Sequence, residues 1–348
     1  MILILTGTRP EIIKMAPVMR ELKRRRLPFI FLHSGQHYSK EMDADIMADL
    51  KIKPADFNLQ VGSGSHAMQT GKIMEGVEKI CIQKKPILVV VHGDTNTTLA
   101  GALVAKKLQI KVAHVEAGLR SFDYKMPEEI NRILVDRVSD LLFAPTKISQ
   151  NNLLKEGVNK KKIFVVGNTV VDALQQNLPL VKKSKINNYI LLTAHRAENV
   201  DDLENLQKLI KLINHAALKL KKKIIWPIHP RTAKNLPQIK EQLSARVEII
   251  SAVGYIDMLT LLQNAFLVMT DSGGVQEEAY ILQKKLLTLR DSTERPETLT
   301  ANFLIHLSCA KFDRAWEKIK SQKITWSDVF GSGDTSQKIV AIIENYLS

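Results

Sequence analysis

The sequence predicts an α/β fold made of two doubly wound domains, and three features of the chain support this. Its 348 residues are more than one hydrophobic core usually organises. Short apolar runs alternate with helical patterns from end to end. The alternation restarts at Y-I-L-L-T-A-H (189–195), after the polar stretch K-K-S-K-I-N-N (182–188). Such alternation is typical of parallel sheets with helices on both faces.

The apolar runs predict strands in both halves of the chain. Those in the first half are Ile2–Leu5, Phe29–Leu32, Ile87–Val91, Lys111–His114, Leu141–Ala144 and Ile163–Val166. Those in the second half are Ile190–Thr193, Ile224–Pro227, Val247–Ile250, Leu267–Met269 and Lys285–Leu289.

A domain break is expected near G-N-T-V-V-D-A-L (167–174). Residues 1–168 then form the first domain, residues 169–334 form the second, and a helix at 335–348 folds back on the first. Ligands of doubly wound sheets bind beyond the carboxyl ends of the strands. We therefore expect catalytic groups at those ends, in a cleft between the domains.

The formal net charge is +14, from 50 Lys and Arg against 36 Asp and Glu. This charge admits nucleic acid, an anionic membrane surface or an acidic small molecule as a partner. The basic residues lie in short clusters such as K-R-R-R (23–26) and K-K-K (221–223), and aromatic residues make up only 5% of the chain. A platform for stacked bases needs aromatic residues among the basic ones. Nucleic acid is therefore not expected as a partner.

Targeting and cysteine signals are also weak. No apolar run reaches the roughly 18 residues that a membrane span needs, and Met1 leads directly into I-L-I-L without a basic segment or a cleavage site. Cys81 and Cys309 are the only cysteines, too few for a disulfide framework and without zinc-site spacing. We expect a cytoplasmic protein that does not associate with membranes.

The first stretch that suggests chemistry is G-T-R-P-E-I-I-K (7–14). Gly7 permits a tight turn after a strand, and Pro10 suits the start of a helix. Free backbone N–H groups, Arg9 and Lys14 then meet at a helix N-terminus, which is a site for a phosphate or diphosphate. The alternative is that Arg9 caps a surface turn.

Two successive predicted strands end in His-x-acid, at H-G-D (92–94) and H-V-E (114–116). Asp94 and Glu116 are therefore expected in one crevice, followed by the acidic pair of M-P-E-E-I-N-R (126–132). Carboxylates that share a cleft take different pKa values, so one acts as an acid and another as a base.

Two other interpretations of these strand ends stay open. The segment D-T-N-T-T (94–98) is also a good helix cap. The histidines and acids of the two motifs are also metal ligands in type, and alternate residues of a strand face the same side. No helical H-E-x-x-H pair accompanies them, so a metal site is not expected.

In the second half, L-L-T-A-H-R (191–196) places His195 just past a strand. His195 is either a catalytic group or a structural hydrogen-bonding residue.

The loop T-D-S-G-G-V-Q-E-E (270–278) predicts a phosphate site, because Ser272, Gly273 and Gly274 present donors at a helix start. Glu278, about one turn further, is placed to accept from a ribose diol. Arg295, in T-E-R-P-E (293–297), is a further cation. A ligand that has both a diphosphate and a diol is a nucleotide sugar.

Taken together, these motifs resemble the non-hydrolysing UDP-N-acetylglucosamine 2-epimerases. The matching stretches, in order over about residues 1–300, are G-T-R-P-E-I-I-K, H-G-D-T-N-T-T, H-V-E-A-G-L-R, M-P-E-E-I-N-R, G-N-T-V-V-D-A-L, A-H-R-A-E-N, T-D-S-G-G-V-Q-E-E and T-E-R-P-E. The combination is specific, although each stretch alone is not. The resemblance implies a glycosyltransferase-B-like architecture, with two Rossmann-like domains facing across a cleft, usually in a homodimer.

The resemblance also implies a reaction. It is the interconversion of UDP-GlcNAc and UDP-ManNAc without a metal or an oxidising cofactor, by elimination of UDP to 2-acetamidoglucal and its re-addition. The product would supply ManNAc-type sugars for surface polysaccharide or glycan synthesis. By motif, the implied catalytic residues are Asp94, Glu116, Glu128 and His195. The implied UDP-binding residues are Arg9, Lys14, Ser272, Gly273, Gly274, Glu278 and Arg295.

Two segments depart from the family pattern. Asn302 and Ser308 stand where glycines are expected, and I-H-P-R-T (228–232) differs from the H-x-N-P form that is tied to substrate-activated regulation. Three alternative functions stay open: a hydrolysing relative that releases ManNAc, an epimerase of a 2,3-diacetamido uronic acid, and a nucleotide-sugar-binding module without turnover.

Overall fold

The computed structural model describes residues 1–36, 46–182, 184, 186–321 and 324–348. Lys183 and Lys185, in the predicted interdomain stretch, lie outside the described residues. The chain forms two compact units, here called unit 1 (1–177 and 329–348) and unit 2 (178–328). The predicted boundary at residue 168 falls inside unit 1, because the helix Thr169–Asn177 packs against the helix Arg9–Arg24.

Unit 1 contains a parallel sheet with the strand order β3-β2-β1-β4-β5-β6-β7. Its strands are β1 Ile2–Thr6, β2 Phe29–His33, β3 Phe57–Asn58, β4 Leu88–His92, β5 Lys111–Val115, β6 Leu141–Ala144 and β7 Ile163–Val165. Its α-helices are Arg9–Arg24, His66–Lys84, Asn96–Lys107, Pro127–Val138, Lys147–Lys155, Thr169–Asn177 and Thr335–Leu347, with a 3₁₀ turn at Lys160–Lys162. The strand order reverses between β1 and β4, which is where doubly wound sheets bind their ligands.

Unit 2 contains a second parallel sheet with the order β10-β9-β8-β11-β12-β13. Its strands are β8 Tyr189–Thr193, β9 Ile224–Pro227, β10 Val247–Ile250, β11 Ala265–Thr270, β12 Leu286–Thr288 and β13 Asn302–Leu304. Its α-helices are Ala197–Val200, Leu203–Leu220, Pro230–Ala233, Tyr255–Asn264, Gly273–Ile281 and Cys309–Ser321. Its 3₁₀ turns are Leu178–Leu180, Leu236–Gln238, Lys240–Gln242 and Pro296–Thr300. Here the order reverses between β8 and β11.

The central strands are apolar because both faces of each sheet are covered. Every residue of β1 and of β4 is buried. The helix Leu203–Leu220 buries one stripe of its surface, including Leu206, Leu209 and Ile213, against the core of unit 2. Residues at this spacing share one face of a helix. No helix in the described part of the chain is long and apolar enough to cross a bilayer.

The predicted α/β class with two Rossmann-like sheets is confirmed. Each predicted strand is present, and the ends of each lie within two residues of the prediction. Two short strands were not predicted, β3 at Phe57–Asn58 and β13 at Asn302–Leu304, and both lie at sheet edges. The unpredicted β13 contains Asn302, one of the residues that depart from the family pattern.

Candidate active site

The helix Arg9–Arg24 begins directly beyond β1, as predicted. The backbone N–H groups of Gly7 and Thr8 are not free, because both donate to the carboxylate of Glu11, with 2.8 Å from Thr8 N to Oε2. The other oxygen of Glu11 accepts from the Thr95 hydroxyl at 2.7 Å. Glu11 therefore occupies the two amides that the sequence predicted to be free for an anion. Arg9, at the helix start, is half-buried.

Lys14 and Glu116 form a buried ion pair, each with about 6% of its side chain exposed. Lys14 reaches Glu116 from the helix Arg9–Arg24, and Glu116 lies just past the end of β5. Glu116 has a φ of +74°, a backbone conformation that is uncommon for a residue with a side chain and that clusters at functional sites. The two residues were predicted for different tasks, and the structure brings them together.

His92, the last residue of β4, lies beside this pair. Its Nε2 atom is 3.4 Å from Oε2 of Glu116, and its side chain is 4% exposed. Neither ring nitrogen has a hydrogen-bond partner among the described residues.

Asp94 lies in the turn after β4 and forms an ion pair with Arg132 of the helix Pro127–Val138. The Asp94 side chain is 27% exposed, whereas that of Arg132 is buried. The helix after the turn is capped by Thr95, whose hydroxyl accepts from Thr98 N at 3.3 Å. Asp94 is therefore not the helix cap, and its carboxylate is held by Arg132.

The two glutamates of M-P-E-E lie in different surroundings and have different roles. Glu128 is exposed at the start of the helix Pro127–Val138. Glu129 is fully buried and accepts from Ser121 N at 3.0 Å and from Phe122 N at 2.9 Å, and it also pairs with Arg132. Glu129 thus fixes the loop and orients the guanidinium that holds Asp94.

His114 supports the turn after β4 that carries Asp94. Its Nδ1 is 2.7 Å from Oδ1 of Asp136, and its Nε2 is 2.8 Å from the carbonyl oxygen of Gly93. Asp136 also accepts from Arg120, which in turn pairs with Glu156. Gly93 directly precedes Asp94, so the buried side chains of His114, Asp136 and Arg120 anchor the backbone that presents Asp94.

The metal interpretation of the two His-x-acid motifs finds no support in this arrangement. Both ring nitrogens of His114 are hydrogen-bonded, to Asp136 and to Gly93, and Asp94 is paired with Arg132. Within the described ranges, no three His, Cys, Asp or Glu side chains are grouped so that they could hold a metal ion.

In unit 2, His195 lies just beyond β8 and faces Asp271, which follows the adjacent β11. His195 Nδ1 is 3.1 Å from Oδ1 of Asp271, and the His195 side chain is 35% exposed. Oδ2 of the fully buried Asp271 accepts from His195 N and Arg196 N, both at 2.9 Å, and from the Asn199 amide at 3.0 Å.

Burial is the largest single effect on the pKa of Asp271 and would raise it, but the interactions with His195 and the hydrogen bonds from the surrounding residues together outweigh it. The hydrogen bonds from His195, Arg196 and Asn199 act in the same direction and hold the pKa well below its ordinary value. Asp271 is therefore a fixed negative charge that orients the imidazole of His195. The His195 ring also packs on His229, with centroids 5.0 Å apart, so the unusual I-H-P-R-T segment contacts this residue.

The predicted phosphate loop begins the helix Gly273–Ile281. Ser272 is its N-cap and accepts from Val275 N at 3.4 Å. A Cβ atom on Gly273 would lie 2.6 Å from a guanidinium nitrogen of Arg295, so a side chain there would require the Arg295 guanidinium to shift. At Gly274 the space is open, with Ser272 Oγ 4.0 Å away as the nearest atom. Glycine at position 273 therefore avoids a close contact with Arg295, whereas Gly274 leaves the helix start accessible.

Arg295 is buried and already paired. Its guanidinium contacts Glu277, at 2.6 Å from Nε, and also Glu294. Glu294 in turn accepts from Arg290 at 2.8 Å. The predicted cation Arg295 is thus part of a buried ionic network that joins the loop 290–295 to the helix Gly273–Ile281.

Glu278 is 7% exposed on the buried side of the same helix. Burial, followed by the negative charge of Glu278, raises the pKa of the Tyr255 hydroxyl well above its ordinary value. Tyr255 therefore keeps its proton beside Glu278.

Sequence reasoning found the acids at the strand ends but missed several partners in the ion-pair networks around the predicted side chains. The missed partners are Asp271, Glu129, Arg132, Asp136 and Glu277. Each lies within one of the quoted motifs or one helical turn from it, so proximity in sequence was the available signal.

A model of the family "UDP-N-acetylglucosamine 2-epimerase" matches residues 20–344 of the chain. A UDP-N-acetylglucosamine 2-epimerase of Methanocaldococcus jannaschii is 48% identical over 98% of both chains. The solved structure of the M. jannaschii enzyme in complex with UDP-GlcNAc and UDP has a TM-score of 0.94, with 99% of each chain covered. A UDP-2,3-diacetamido-2,3-dideoxy-D-glucuronate 2-epimerase of Pseudomonas aeruginosa is 38% identical over 97% of this chain and 98% of that one.

Both the sequence identity and the structural similarity extend over nearly the whole chain, so they include both units and every motif described above. The family that the sequence motifs predicted is confirmed, and the chain belongs to the UDP-N-acetylglucosamine 2-epimerase family.

Proposed function

We propose that this protein interconverts UDP-GlcNAc and UDP-ManNAc by epimerisation at C2 of the sugar. Family membership supports the reaction class, and the M. jannaschii relative was solved with UDP-GlcNAc and UDP. The observation that carries the proposal is the pair Asp94 and Glu116, which follow the adjacent strands β4 and β5 and each lie against a cation.

The chemistry explains why several acidic groups are needed. The hydrogen on C2 is not next to a carbonyl group, so enolisation does not make it acidic. In the proposed route, the C2–H and C1–O bonds break, UDP leaves and 2-acetamidoglucal forms. A proton then returns to the opposite face of C2 while UDP adds back to C1. This requires a base, an acid and stabilisation of the departing diphosphate.

The catalytic groups that we propose are Asp94, Glu116, Glu128 and His195. The first three are carboxylates of unit 1, and Glu128 is the exposed one. His195 is a half-buried imidazole whose orientation is set by Asp271.

The residues that we propose for UDP are Arg9, Lys14, Ser272, Gly273, Gly274, Glu278 and Arg295. The open helix start at Gly274 suits a phosphate. Lys14 and Arg295 are paired with carboxylates in this structure. A diphosphate therefore has to share these two cations with Glu116 and with Glu277 and Glu294.

Deuterium incorporation tests the reaction. The protein is incubated with UDP-GlcNAc in deuterated water, and the products are analysed by NMR and mass spectrometry. Epimerisation by the proposed route gives intact UDP-ManNAc with deuterium at C2. Accumulation of free UDP and ManNAc with turnover would instead identify a hydrolysing enzyme. If UDP binds without either product, the chain is a binding module.

The relative in P. aeruginosa suggests a second candidate substrate, because it is named as a 2-epimerase of a UDP-linked 2,3-diacetamido uronic acid. Supplying UDP-GlcNAc and the UDP-linked diacetamido uronic acid in parallel separates the two. We expect faster turnover of UDP-GlcNAc, since the M. jannaschii epimerase is the more similar relative. Faster turnover of the uronic acid would reassign the substrate.

Asp94→Asn tests the role of Asp94. We expect UDP still to bind, while deuterium exchange at C2 falls by about 100-fold or more, the contribution typical of an acid or base. Asp313→Asn is a suitable control, because Asp313 is a partly exposed carboxylate of unit 2 that pairs with His215 and Lys219. Exchange at the unmodified rate in Asp94→Asn would remove Asp94 from the mechanism.

We also propose that the enzyme acts in the cytoplasm as a homodimer and supplies ManNAc-type sugars for surface polysaccharide or glycan synthesis. These proposals follow from the family resemblance. Light scattering coupled to gel filtration tests the dimer, and a monomeric mass at micromolar concentration would contradict it.

A further inference from the structure

His92 is a buried histidine whose ring nitrogens have no hydrogen-bond partner in the described part of the chain. Leaving a buried polar atom unpaired destabilises a folded protein, so such a group calls for an explanation. His114, the histidine of the other His-x-acid motif, lies opposite Val91 in the sheet, and both of its nitrogens are engaged. The two His-x-acid motifs therefore hold one satisfied histidine and one unsatisfied histidine.

The His92 ring lies close to the carboxylate of Glu116. Oε2 of Glu116 lies 3.4 Å from His92 Nε2, and the same oxygen accepts from the Lys14 ammonium. All three side chains are more than nine-tenths buried. Oε2 of Glu116 thus lies near both a cation and a histidine that has no hydrogen bond within the described residues.

Lys14 is also one of the residues that we propose for the diphosphate of UDP. A diphosphate that attracts its ammonium weakens the pair with Glu116, and it adds negative charge to a buried site. A buried carboxylate that loses its counter-ion is costly, because little water is present to solvate it. A proton taken up nearby offsets that cost.

We propose that His92 is a positioning residue for Glu116 that takes up a proton when UDP binds. The proton comes from solvent and is bound at the imidazole. The resulting imidazolium replaces Lys14 as the counter-ion and hydrogen-bond donor of Glu116, while Lys14 turns to the diphosphate. This inference rests on the proposed function, since it requires that a UDP-type ligand binds near Lys14.

Other charged groups near His92 are compensated in place. Glu11, on the helix Arg9–Arg24, is held by Gly7, Thr8 and the hydroxyls of Thr95 and Thr98. The Thr98 hydroxyl also donates to the carbonyl oxygen of His92 at 2.6 Å. Asp94, two residues beyond His92, pairs with Arg132. Glu116 is therefore the acid whose charge balance changes if Lys14 moves.

Calorimetry measures this directly. UDP is titrated into the full-length protein near neutral pH in buffers of different ionisation enthalpy, which yields the number of protons exchanged on binding. The wild type is compared with His92→Gln and His92→Asn, which keep a polar side chain at this buried position. His215→Gln is the control, because His215 is a half-buried histidine of unit 2 that pairs with Asp313. Thermal unfolding identifies any variant that does not fold.

We expect the wild type and His215→Gln to take up protons when UDP binds, and the His92 variants to lose that uptake and bind UDP more weakly. Absence of uptake in the wild type would overturn the inference without any variant. Unchanged uptake in a folded His92 variant would also overturn it, and would assign the proton to Glu116 or to UDP. Failure of UDP to bind the wild type would overturn the proposed function as well.

Discussion

Glu128 and Glu129 are adjacent in sequence but lie in different surroundings, and this difference gives a residue-scale prediction. Glu129 is fully buried and holds Ser121, Phe122 and Arg132, whereas Glu128 is exposed. We expect Glu129→Gln to lower the free energy of unfolding by about 3–5 kcal/mol, because it leaves a buried guanidinium short of its partner. Chemical denaturation measures this loss.

Glu128→Gln is the matched variant for this prediction. We expect it to leave the free energy of unfolding within about 0.5 kcal/mol of the wild type, as is usual for exposed positions. Its C2 exchange should fall if Glu128 is catalytic. A destabilised Glu128→Gln, or a fully stable Glu129→Gln, would mean that the roles of the two glutamates are not those that the structure indicates.

Asp271 is expected to make the stability of the fold depend on pH. Its pKa is lowered in the folded protein, so its stabilising effect is complete above the unfolded pKa of about 4 and is lost as the pH falls below it. We expect Asp271→Asn to lower the free energy of unfolding by about 3 kcal/mol at pH values above that range. The difference from the wild type should shrink on acidification.

Denaturant unfolding of the wild type and Asp271→Asn across the acidic range measures that difference. Catalytic turnover should fall in parallel, because Asp271 orients His195. A difference between the two proteins that stays constant down to strongly acidic pH would show that the charge of Asp271 does not stabilise the fold.

At the scale of elements, β13 shows how a departure from the family pattern is accommodated. Asn302 is 1% exposed, and its side chain accepts from the Thr288 hydroxyl at 2.9 Å and donates to the Thr298 hydroxyl at 3.2 Å. The asparagine thus ties β13 to β12 and to the turn before it. A glycine in its place would lose both hydrogen bonds.

We expect Asn302→Gly to lower the free energy of unfolding by about 2 kcal/mol, because two buried hydroxyls lose a partner and a strand gains a flexible residue. Ser308→Gly is the matched change at the other departing position. Ser308 Oγ accepts from Lys311 N at 3.3 Å before the helix Cys309–Ser321, and glycine replaces such a cap at a cost of only a few tenths of a kcal/mol. Denaturation midpoints that rank the two variants the other way would contradict this account.

The length and composition of the strands show which of them could be predicted from the sequence. Long apolar runs such as β1 and β4 are recognisable because strands buried on both faces contain few polar residues. The edge strands β3 and β13 are two and three residues long, with only half-buried apolar residues, so no run marks them. The pairing of Glu129 with Arg132, or of Asp271 with His195, depends on rotamers and on neighbouring strands, which periodicity does not report. The acids at the strand ends could be predicted, but their partners could not.

At the scale of the whole molecule, the charge of +14 is a property of the surface. The buried lysine and arginines in the described part of the chain are Lys14, Arg120, Arg132, Arg290 and Arg295. Each is paired with at least one carboxylate. The excess positive charge therefore lies on exposed side chains, where it favours solubility and attracts anionic ligands over a distance.

UDP binding is expected to slow hydrogen exchange in both units. The residues that we propose for UDP belong to both, Arg9 and Lys14 to unit 1 and Ser272, Gly274 and Glu278 to unit 2. A ligand at 100 times its dissociation constant stabilises the bound form by about 2.7 kcal/mol. Saturating UDP should therefore slow hydrogen exchange in peptides from both units, around 7–16 and around 271–282.

The helices Cys309–Ser321 and Thr335–Leu347 carry none of the proposed residues and serve as internal references, one in each unit. Slower exchange at 7–16 that exceeds the change in the unit 1 helix would support ligand contact by Arg9 and Lys14. Slower exchange at 271–282 alone would restrict the nucleotide to unit 2, and Lys14 would then be only the structural partner of Glu116. The proposed proton uptake by His92 depends on the first outcome, because only a ligand that contacts Lys14 can release Glu116 from its ion pair.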